Sequence, residues 1–358
     1  MSKLKLAVIF GGTNTEHEVS LVSAQGVIQA LDPNKYDVIP IKITKDNTWV
    51  KVGEISGSFN AVIPQHIVSA EKSIDSIDDI LEDHQIDVVF PLLHGPYGED
   101  GTVQGLLELM RLPYIGCGVT GSAVCMDKVI QKNIAQSYDI PVAPYFWLTS
   151  DNWQSQKNEI IENIENKFAN KYPLFVKPAN QGSSVGITMA HSQEELISGI
   201  DLASTRDLKI IIEQGIENVR EIECGLLGNT SNPKTSVLGE ILPDQEFYSY
   251  ESKYLSGGSK SVIPADIDNT LSKKIQEAAK LAFQVSDCFG LARIDFLLNE
   301  KTNEYYLNEI NTMPGFTPIS MYPKLWEASG VSYSDLLNQL VELALARHQA
   351  KTSLNFSR

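Results

Sequence analysis

The chain has 358 residues, of which 42% are hydrophobic and 21% are charged, and its formal net charge is −16. A field of this sign repels nucleic acid and anionic membranes, so we exclude both as main partners. The apolar runs are too short to span a bilayer and the N-terminus lacks a signal-peptide cleavage pattern, so we expect a cytoplasmic protein.

The length predicts two or three domains. Residues 1–125 alternate short apolar strands with helical stretches, which indicates an N-terminal α/β domain with a doubly wound parallel sheet. The strand-like runs are LKLAVIF, YDVIPIKI and IDVVFPLLHG, and the helix-like runs are SLVSAQGVIQAL and TVQGLLELM.

Two polar stretches, FGGTNTEHE and HGPYGEDGT, follow strands of this domain, where parallel sheets bind their ligands. Glu16 and Glu18 lie near a helix start, where either is a candidate cap or a partner for an ammonium group. We interpret Glu99 and Asp100 as caps of the next helix. His94 is interpreted as a structural imidazole, with a substrate contact as the alternative.

The stretch GCGVTG matches the dinucleotide fingerprint G-x-G-x-x-G through Gly116, Gly118 and Gly121. It lies far from the first strand–helix–strand unit, and no strand ending in an acidic residue follows at the required distance. A dinucleotide-dependent oxidoreductase is therefore a weak alternative. The four cysteines form no C-x-x-C pair, which predicts buried free thiols.

Residues 126–218 read as a helix followed by a small antiparallel sheet with helices. Within them, VKPANQGSSVG places Lys177 on a strand before Gly182, Ser183 and Ser184. The backbone N–H groups of such small residues can approach an anion closely, although an ordinary hairpin turn has the same pattern.

Residues 219–358 are rich in strands and end in a helix. In ARIDFLLNEKTNEYYLNEIN, a turn centred on Thr302 places Asp295 opposite Glu309 and Arg293 opposite Asn311. A divalent cation held by Asp295, Glu309 and Asn311 would relieve the repulsion between the two carboxylates, and all-oxygen ligation suits Mg²⁺. From spacing alone, an exposed hairpin whose carboxylates face water fits equally well.

The ordered motifs GGTNTEHEVS, HGPYGEDGTVQG, GCGVTGSAVCMDK, VKPANQGSSVG, FYSYESKY, ARIDF and NEINTMPG resemble those of the D-alanine–D-alanine ligases over nearly the whole chain. The resemblance implies an ATP-grasp fold in three parts, namely an N-terminal domain (1–125), a small central domain (126–218) and a β-rich C-terminal domain (219–358). It also implies a cytoplasmic homodimer that serves peptidoglycan precursor synthesis.

The resemblance further implies residues for ATP and for two Mg²⁺ ions, with Mn²⁺ as a substitute. Gln214 stands where the family has a residue such as Lys, and it offers its backbone to the adenine. The metal ligands are Asp295, Glu309 and Asn311. The residues implied for ATP are Lys128, Lys177, Gly182, Ser183, Ser184, Glu213, Gln214, Ile216, Glu221, Lys253, Phe296 and Asn308.

The implied reaction joins two D-alanine molecules through an acylphosphate. Catalytic roles fall to Glu16, Ser183, Tyr254, Arg293, Gly315 and Ser320, and substrate contacts to Glu16, His94, Tyr248, Arg293, Ser320 and Met321. Residues 247–262, which contain FYSYESKY, resemble the mobile segment that covers the site. A D-alanine–D-lactate ligase is the nearest alternative, and Tyr254 favours the dipeptide over it.

Overall fold

The computed structural model describes residues 2–51, 85–242, 260–317 and 319–355. Within these ranges the strands form three sheets, two of four strands and one of five. None of the described helices is both long enough and apolar enough to cross a lipid bilayer.

The first sheet has the predicted parallel core with helices on both faces. Its elements are β1 (Leu4–Gly11), α1 (His17–Ala30), β2 (Tyr36–Ile43), β3 (Trp49–Lys51), β4 (Val88–Pro91) and α2 (Thr102–Leu109). The strand order is β3-β2-β1-β4, with β1 parallel to both β2 and β4, and β3 antiparallel at the edge. Helix α1 packs on one face and α2 on the other.

Two short helices, α3 (Val119–Met126) and α4 (Lys128–Ser137), lead away from this sheet. Asp127 separates them and caps α4, because its side chain accepts hydrogen bonds from the Val129 and Ile130 N–H groups. Gly121 of GCGVTG serves packing here, because a Cβ at Gly121 would lie 2.4 Å from the Asp287 carbonyl oxygen.

The second sheet is antiparallel, as expected, in the order β5-β8-β6-β7. Its elements are β5 (Tyr145–Thr149), α5 (Ser150–Phe168), β6 (Leu174–Pro178), β7 (Thr188–Ala190), α6 (Gln193–Ser204) and β8 (Lys209–Gln214). Leu174, Val176 and Ile212 face the helices. Because side chains alternate along a strand, Lys177 and Glu213 point to the opposite face.

The third sheet is antiparallel in the order β11-β10-β9-β12-β13. Its elements, with the helices that follow, are β9 (Val219–Gly228), β10 (Lys234–Leu242), β11 (Lys260–Val262), α7 (Asn269–Val285), β12 (Gly290–Asn299), β13 (Tyr305–Asn311), α8 (Met321–Ala328) and α9 (Tyr333–Thr352). Ile294 and Phe296 share a core with Phe283 of α7. Arg293 and Asp295 therefore lie on the other face.

The C-terminal helix α9 returns to the first sheet. Its Leu336, Leu340 and Val341 share one hydrophobic core with Leu6 and Val8 of β1. The two ends of the chain therefore fold against each other. The predicted boundaries near residues 125 and 218 stay predictions.

Candidate active site

The β12–β13 hairpin has the predicted register where the candidate ligands lie. Arg293 is opposite Asn311 and Asp295 is opposite Glu309. Nearer the turn the prediction of a symmetric register about Thr302 is wrong, because Phe296 pairs with Leu307. Asn308 is therefore an extra residue on β13, and a bulge of this kind locally interrupts the ladder.

Arg293 binds the Asp295 carboxylate through both of its oxygens. The Arg293 nitrogens lie 2.8 and 2.7 Å from Asp295 Oδ1 and Oδ2, and Nε lies 3.2 Å from Glu223 Oε2. Burial opposes the charge of Arg293, but Asp295 and Glu223 hold the pKa of the guanidinium well above its usual value. Arg293 is thus a fixed cation beside the carboxylate pair.

The donor set at this edge fits a magnesium ion. The carboxylates of Asp295 and Glu309 and the amide of Asn311 lie on neighbouring positions of two paired strands. Oxygen donors of these types are the ligands that Mg²⁺ prefers. In the described part of the chain no three histidine, cysteine or acidic side chains converge on a metal-sized site, and the Asn311 amide nitrogen donates to Asp295 Oδ2 at 2.9 Å.

Two of the predicted phosphate lysines lie between the second and third sheets. Lys128 Nζ donates to the Gln181 carbonyl at 2.7 Å and lies 3.7 Å from Glu309 Oε2. Lys177 Nζ donates to Glu213 Oε2 at 2.7 Å and lies 3.5 Å from Asn308 Oδ1. Both ammonium groups therefore stand close to the strand that provides the candidate metal ligands.

Glu213 is a buried carboxylate held by two lysines. Its second partner is Lys132, whose Nζ lies 3.1 Å from Glu213 Oε1. Burial opposes the ionisation of Glu213, but the two lysines lower its pKa to about 2. Lys132 was not predicted from the sequence, although it follows Lys128 by four residues on α4 and therefore lies on the same helix face.

Glu16 connects the first sheet to the loop between β6 and β7. Asn14 fixes its position, because the Asn14 amide donates to the His94 and Pro96 carbonyls and its Oδ1 accepts from the Glu16 N–H. The Glu16 carboxylate accepts a hydrogen bond from the Ser183 hydroxyl. It makes no cap hydrogen bond to α1, so the capping interpretation of Glu16 is wrong.

The β6–β7 loop is shaped for close approach. Ser183 and Ser184 have φ of 49° and 59°, in the left-handed region. A Cβ at Gly182 would lie 2.9 Å from Glu16 Oε2. The absence of a side chain at Gly182 therefore lets the loop reach the first sheet, and Gln181 of the same loop accepts from Lys128.

Glu99 bridges two loops and does not cap α2 as predicted. Its two oxygens accept from the Gly95 N–H at 2.7 Å and the Met313 N–H at 2.9 Å. Burial, and next the nearby charge of Glu16, raise the pKa of Glu99 to about 8. Asp100 accepts from the Thr102 N–H at 2.9 Å, but the N-cap position of α2 is Gly101.

His94 has the environment of a structural imidazole. Its Nδ1 lies 2.8 Å from the Met313 carbonyl, and its Nε2 lies 3.1 Å from the Ser23 hydroxyl. Burial lowers the pKa of His94 to about 4, so the ring is neutral at pH 7. Nδ1 must donate to the carbonyl, and Nε2 therefore accepts from Ser23.

Ser320 and Met321 begin helix α8, close to Gly315. The Ser320 hydroxyl lies 3.0 Å from the Thr317 nitrogen and 2.7 Å from the Thr317 hydroxyl. A Cβ at Gly315 would lie 2.7 Å from the Ser320 hydroxyl. Because the N-terminus of a helix favours anions, this corner suits a carboxylate.

The predicted adenine and ribose positions lie at the end of β8, in the connection to β9 and on β9. Gln214 ends β8, and its side chain donates to the Pro173 carbonyl at 3.1 Å. Ile216 lies in the connection between β8 and β9. Glu221 lies on β9 and shares a face of the sheet with Glu223, because residues two apart on a strand point to the same side. Phe296, which was predicted to bind ATP, is 1% exposed and packs in the core beneath α7, edge-on against Tyr305 and on the other face from Asp295.

Tyr248, Lys253 and Tyr254, with the rest of segment 247–259, lie outside the described residues.

All four cysteines are buried free thiols, as predicted.

Comparison with known proteins decides the family. The family model for the N-terminus of D-ala D-ala ligase matches residues 5–117, and that for its C-terminus matches residues 134–342. The chain belongs to the D-alanine–D-alanine ligase family. Its fold is accordingly the expected ATP-grasp fold, and the oxidoreductase interpretation of GCGVTG is excluded.

Relatives in this family align over the full length. The D-alanine–D-alanine ligase of Natranaerobius thermophilus is 48% identical, with all of both chains covered. That of Clostridium acetobutylicum is 47% identical over 97% of this chain and all of the relative.

Solved ligases have the same fold. The D-alanine–D-alanine ligase of Coxiella burnetii gives a TM-score of 0.85 at 36% identity, covering 98% of this chain and 97% of that one. The VanG D-Ala:D-Ser ligase of Enterococcus faecalis gives 0.82 at 35% identity, covering 96% and 100%.

Proposed function

We propose that this chain joins two D-alanine molecules to D-alanyl-D-alanine, using ATP and releasing ADP and phosphate, for peptidoglycan precursor synthesis. One continuous set of contacts carries the proposal. Glu16 binds Ser183, the neighbouring Gln181 carbonyl binds Lys128, and Lys128 lies 3.7 Å from Glu309. The proposed partner of the substrate ammonium, the proposed phosphate-binding loop and the proposed metal ligands therefore lie next to one another.

The first step transfers the γ-phosphoryl group of ATP to the carboxylate of the first D-alanine, which forms an acylphosphate and ADP. Phosphoryl transfer depends on positioning and on neutralising spread negative charge. Lys128 and Lys177 supply cations for the phosphates. Two Mg²⁺ ions, or Mn²⁺, held by Asp295, Glu309 and Asn311 would supply further positive charge when bound.

The second step is attack of the amine of the second D-alanine on the acylphosphate carbonyl. The oxygen of the tetrahedral intermediate becomes negative before phosphate leaves. Fixed donors aimed at such an oxygen lower the barrier, and Arg293 and the Gly315 N–H have this role. Arg293 suits it because Asp295 and Glu223 keep its guanidinium charged and oriented.

The two substrates are held at opposite ends. Glu16 accepts the ammonium of the first D-alanine, and the buried position of this carboxylate, 6% exposed, strengthens such a pair. Ser320 and the Met321 N–H at the start of α8 receive the carboxylate of the second D-alanine. His94 holds the Met313 loop and acts on the substrate only through it.

Segment 247–262 remains the proposed cover of the site, with Tyr248 near the substrate, Lys253 near the transferred phosphate and Tyr254 near Ser183. Its last three residues, Lys260–Val262, pair with β10 as strand β11 and so lie in the third sheet. Exclusion of water is needed because an acylphosphate hydrolyses. We expect tryptic cleavage at Lys253 to slow when ATP and Mg²⁺ are added. Equal cleavage with and without the nucleotide would contradict a covering role.

The domain limits, a homodimer and a cytoplasmic location remain proposals that rest on family membership. Sedimentation of the purified chain measures the oligomeric state.

The decisive experiment incubates the enzyme with ATP, Mg²⁺ and D-alanine and identifies the products. We expect ADP release that requires D-alanine and Mg²⁺, with D-alanyl-D-alanine as product. No D-alanine-dependent ADP release would reject the proposal.

The second candidate function is ligation of D-alanine to another second substrate. One solved structure of the same fold is named a D-Ala:D-Ser ligase, which favours D-serine as the alternative second substrate to test. The same assay with D-serine or D-lactate in competition distinguishes the candidates. A mixed dipeptide or a depsipeptide as the main product would replace the first candidate by the second.

A further inference from the structure

The ammonium of Lys132 lies inside the protein, between the second and third sheets. Lys132 is 0% exposed, and its Nζ donates to the Leu307 carbonyl at 3.2 Å and the Asn308 carbonyl at 3.1 Å. Its third partner is Glu213 Oε1, at 3.1 Å. An unpaired buried ammonium would be strongly destabilising, so these partners belong to one arrangement.

Two of these partners form the bulge of β13. A bulge interrupts the ladder, and its backbone groups need other partners. Lys132 donates to the carbonyls of Leu307 and Asn308. At the same bulge, the Leu307 N–H donates to the Pro141 carbonyl at 2.7 Å. The bulge is therefore fixed from outside the hairpin.

The bulge decides which residue Glu309 faces. Phe296 pairs with Leu307, so an unbulged strand would place Asn308 opposite Asp295 and Glu309 opposite Ile294. Ile294 is fully buried in the core under α7. A slip of one residue exchanges the faces of a strand, so without the bulge the candidate metal carboxylate would face the core.

The same ammonium also acts on a phosphate lysine. Glu213 lies between Lys132 and Lys177, with Lys177 Nζ 2.7 Å from Glu213 Oε2. Lys177 in turn lies 3.5 Å from Asn308 Oδ1, at the bulge. The four residues therefore connect the phosphate side of the cleft to the metal side.

We propose that Lys132 is a positioning residue of the nucleotide and metal site. It holds the Asn308 bulge, which turns Glu309 toward Asp295, and through Glu213 it holds the Lys177 ammonium. This inference rests on the proposed function for the meaning of the site, and its test is independent of product formation.

The test compares Lys132→Met, which keeps length and removes the donors, with Lys157→Met. Lys157 is a matched control because it pairs with Asp201 on an exposed surface. Binding of Mn²⁺ with ADP is measured by electron paramagnetic resonance, and peptide amide exchange is measured without ligands. We expect Lys132→Met to weaken Mn²⁺ binding by about tenfold or more, as loss of a ligand-orienting partner does.

Amide exchange separates positioning from general stability. In Lys132→Met we expect faster exchange confined to the peptides around residues 305–311, with the first sheet unchanged. Wild-type Mn²⁺ affinity and exchange in a folded Lys132→Met protein would overturn the inference. Faster exchange spread over all three sheets would also overturn it, because the role of Lys132 would then be stability alone.

If Lys132→Met does not fold, the test uses Lys132→Gln. The glutamine amide keeps N–H donors for the Leu307 and Asn308 carbonyls but has no charge beside Glu213. We expect intermediate Mn²⁺ affinity for this variant, and wild-type affinity would reject the inference. A wild-type enzyme that binds Mn²⁺ and ADP and forms no dipeptide would reject the proposed function alone.

Discussion

At the scale of single residues, Glu16 is the carboxylate that joins the first sheet to the β6–β7 loop through Ser183. We expect Glu16→Gln to raise the KM for D-alanine about tenfold or more, since hydrogen bonds to charged groups contribute about 1.5–3 kcal/mol. The KM for ATP should change little. Initial rates of ADP release at varied D-alanine and ATP concentrations measure both constants.

Glu18→Gln is the matched control for this variant. Glu18 is two residues away and exposed, and it pairs with Lys45 at 2.9 Å on the surface. It should keep the wild-type KM. A Glu16→Gln enzyme with the same KM as this control would contradict the ammonium-binding role of Glu16.

The buried His94 should make the stability of the folded protein depend on pH. Its folded pKa of about 4 is below the ordinary value of 6.5, so the folded protein binds fewer protons than the unfolded chain between these values. The stability that the neutral ring contributes is fully present above about pH 6.5 and is lost as the pH falls toward 4. We expect the free energy of unfolding to decrease over this window.

Urea unfolding of wild type and His94→Gln between pH 4 and 7 measures this contribution. The variant should lose less stability than wild type as the pH falls. The exposed His191 gives the control, and His191→Gln should follow the wild-type curve. A His94→Gln curve parallel to wild type would show that other groups set the pH dependence.

At the scale of elements, the β12–β13 hairpin brings Asp295 and Glu309 face to face. We expect the double variant Asp295→Asn, Glu309→Gln to lose activity by about a hundredfold or more, because a metal-ligand set loses both carboxylates. The measurement is ADP release at increasing Mg²⁺ concentration. The control is the double variant Glu300→Gln, Glu304→Gln in the exposed turn, which should keep activity. Full activity in the double variant of Asp295 and Glu309 would reject the metal assignment.

The packing of helix α3 gives a second element-scale prediction. A Cβ at Gly121 would lie 2.4 Å from the Asp287 carbonyl oxygen. Because that oxygen belongs to the backbone, the clash can be relieved only if helix α3 shifts. We expect Gly121→Ala to destabilise the protein by about 1–3 kcal/mol, the range of overpacked sites. Thermal or urea unfolding measures the change.

Gly105→Ala is the control for this variant, because a Cβ at Gly105 in α2 has no neighbour within 4 Å. Alanine is favoured over glycine in a helix interior by about 1 kcal/mol, so this variant should be at least as stable as wild type. Equal effects of the two substitutions would show that α3 tolerates a side chain at Gly121.

At the scale of the whole molecule, an acidic chain concentrates cations where it handles phosphates. Lys128, Lys132, Lys177 and Arg293 each lie within 3.7 Å of a carboxylate oxygen, and all four lie near the β12–β13 edge. The site therefore keeps its lysines and its arginine oriented within a protein of net charge −16. These local ion pairs keep the four cations in place although the protein as a whole is acidic.

Because the site takes residues from more than one sheet, its ligands should stabilise the whole fold. A ligand at a hundred times its Kd adds about 2.7 kcal/mol to the folded state. We expect ADP with Mg²⁺ to raise the unfolding temperature more than ADP alone, as measured by circular dichroism. The Asp295 and Glu309 double variant should lose the extra shift, and an equal shift without Mg²⁺ in wild type would contradict a shared metal and nucleotide site.

The sequence by itself determined the features that depend on near neighbours. The strand alternation was enough to predict a hairpin from β12 and β13. The pairing of Asp295 with Glu309 was predicted correctly although the turn centre was not, because the bulge at Asn308 shifts the register by one residue. Apolar periodicity was enough for the parallel first sheet and the antiparallel second sheet. The order of the motifs identified the family, and Asp100 does accept a hydrogen bond from the first residue of α2.

The tertiary structure alone decided the contacts between residues distant in the chain. Glu99 precedes α2 as a cap would, yet it binds the Met313 N–H, 214 residues later. The buried Lys132 finds its partners in β8 and β13, and α9 packs against β1 at the other end of the chain. Local sequence carries no record of such partners, because they depend on how whole sheets pack together.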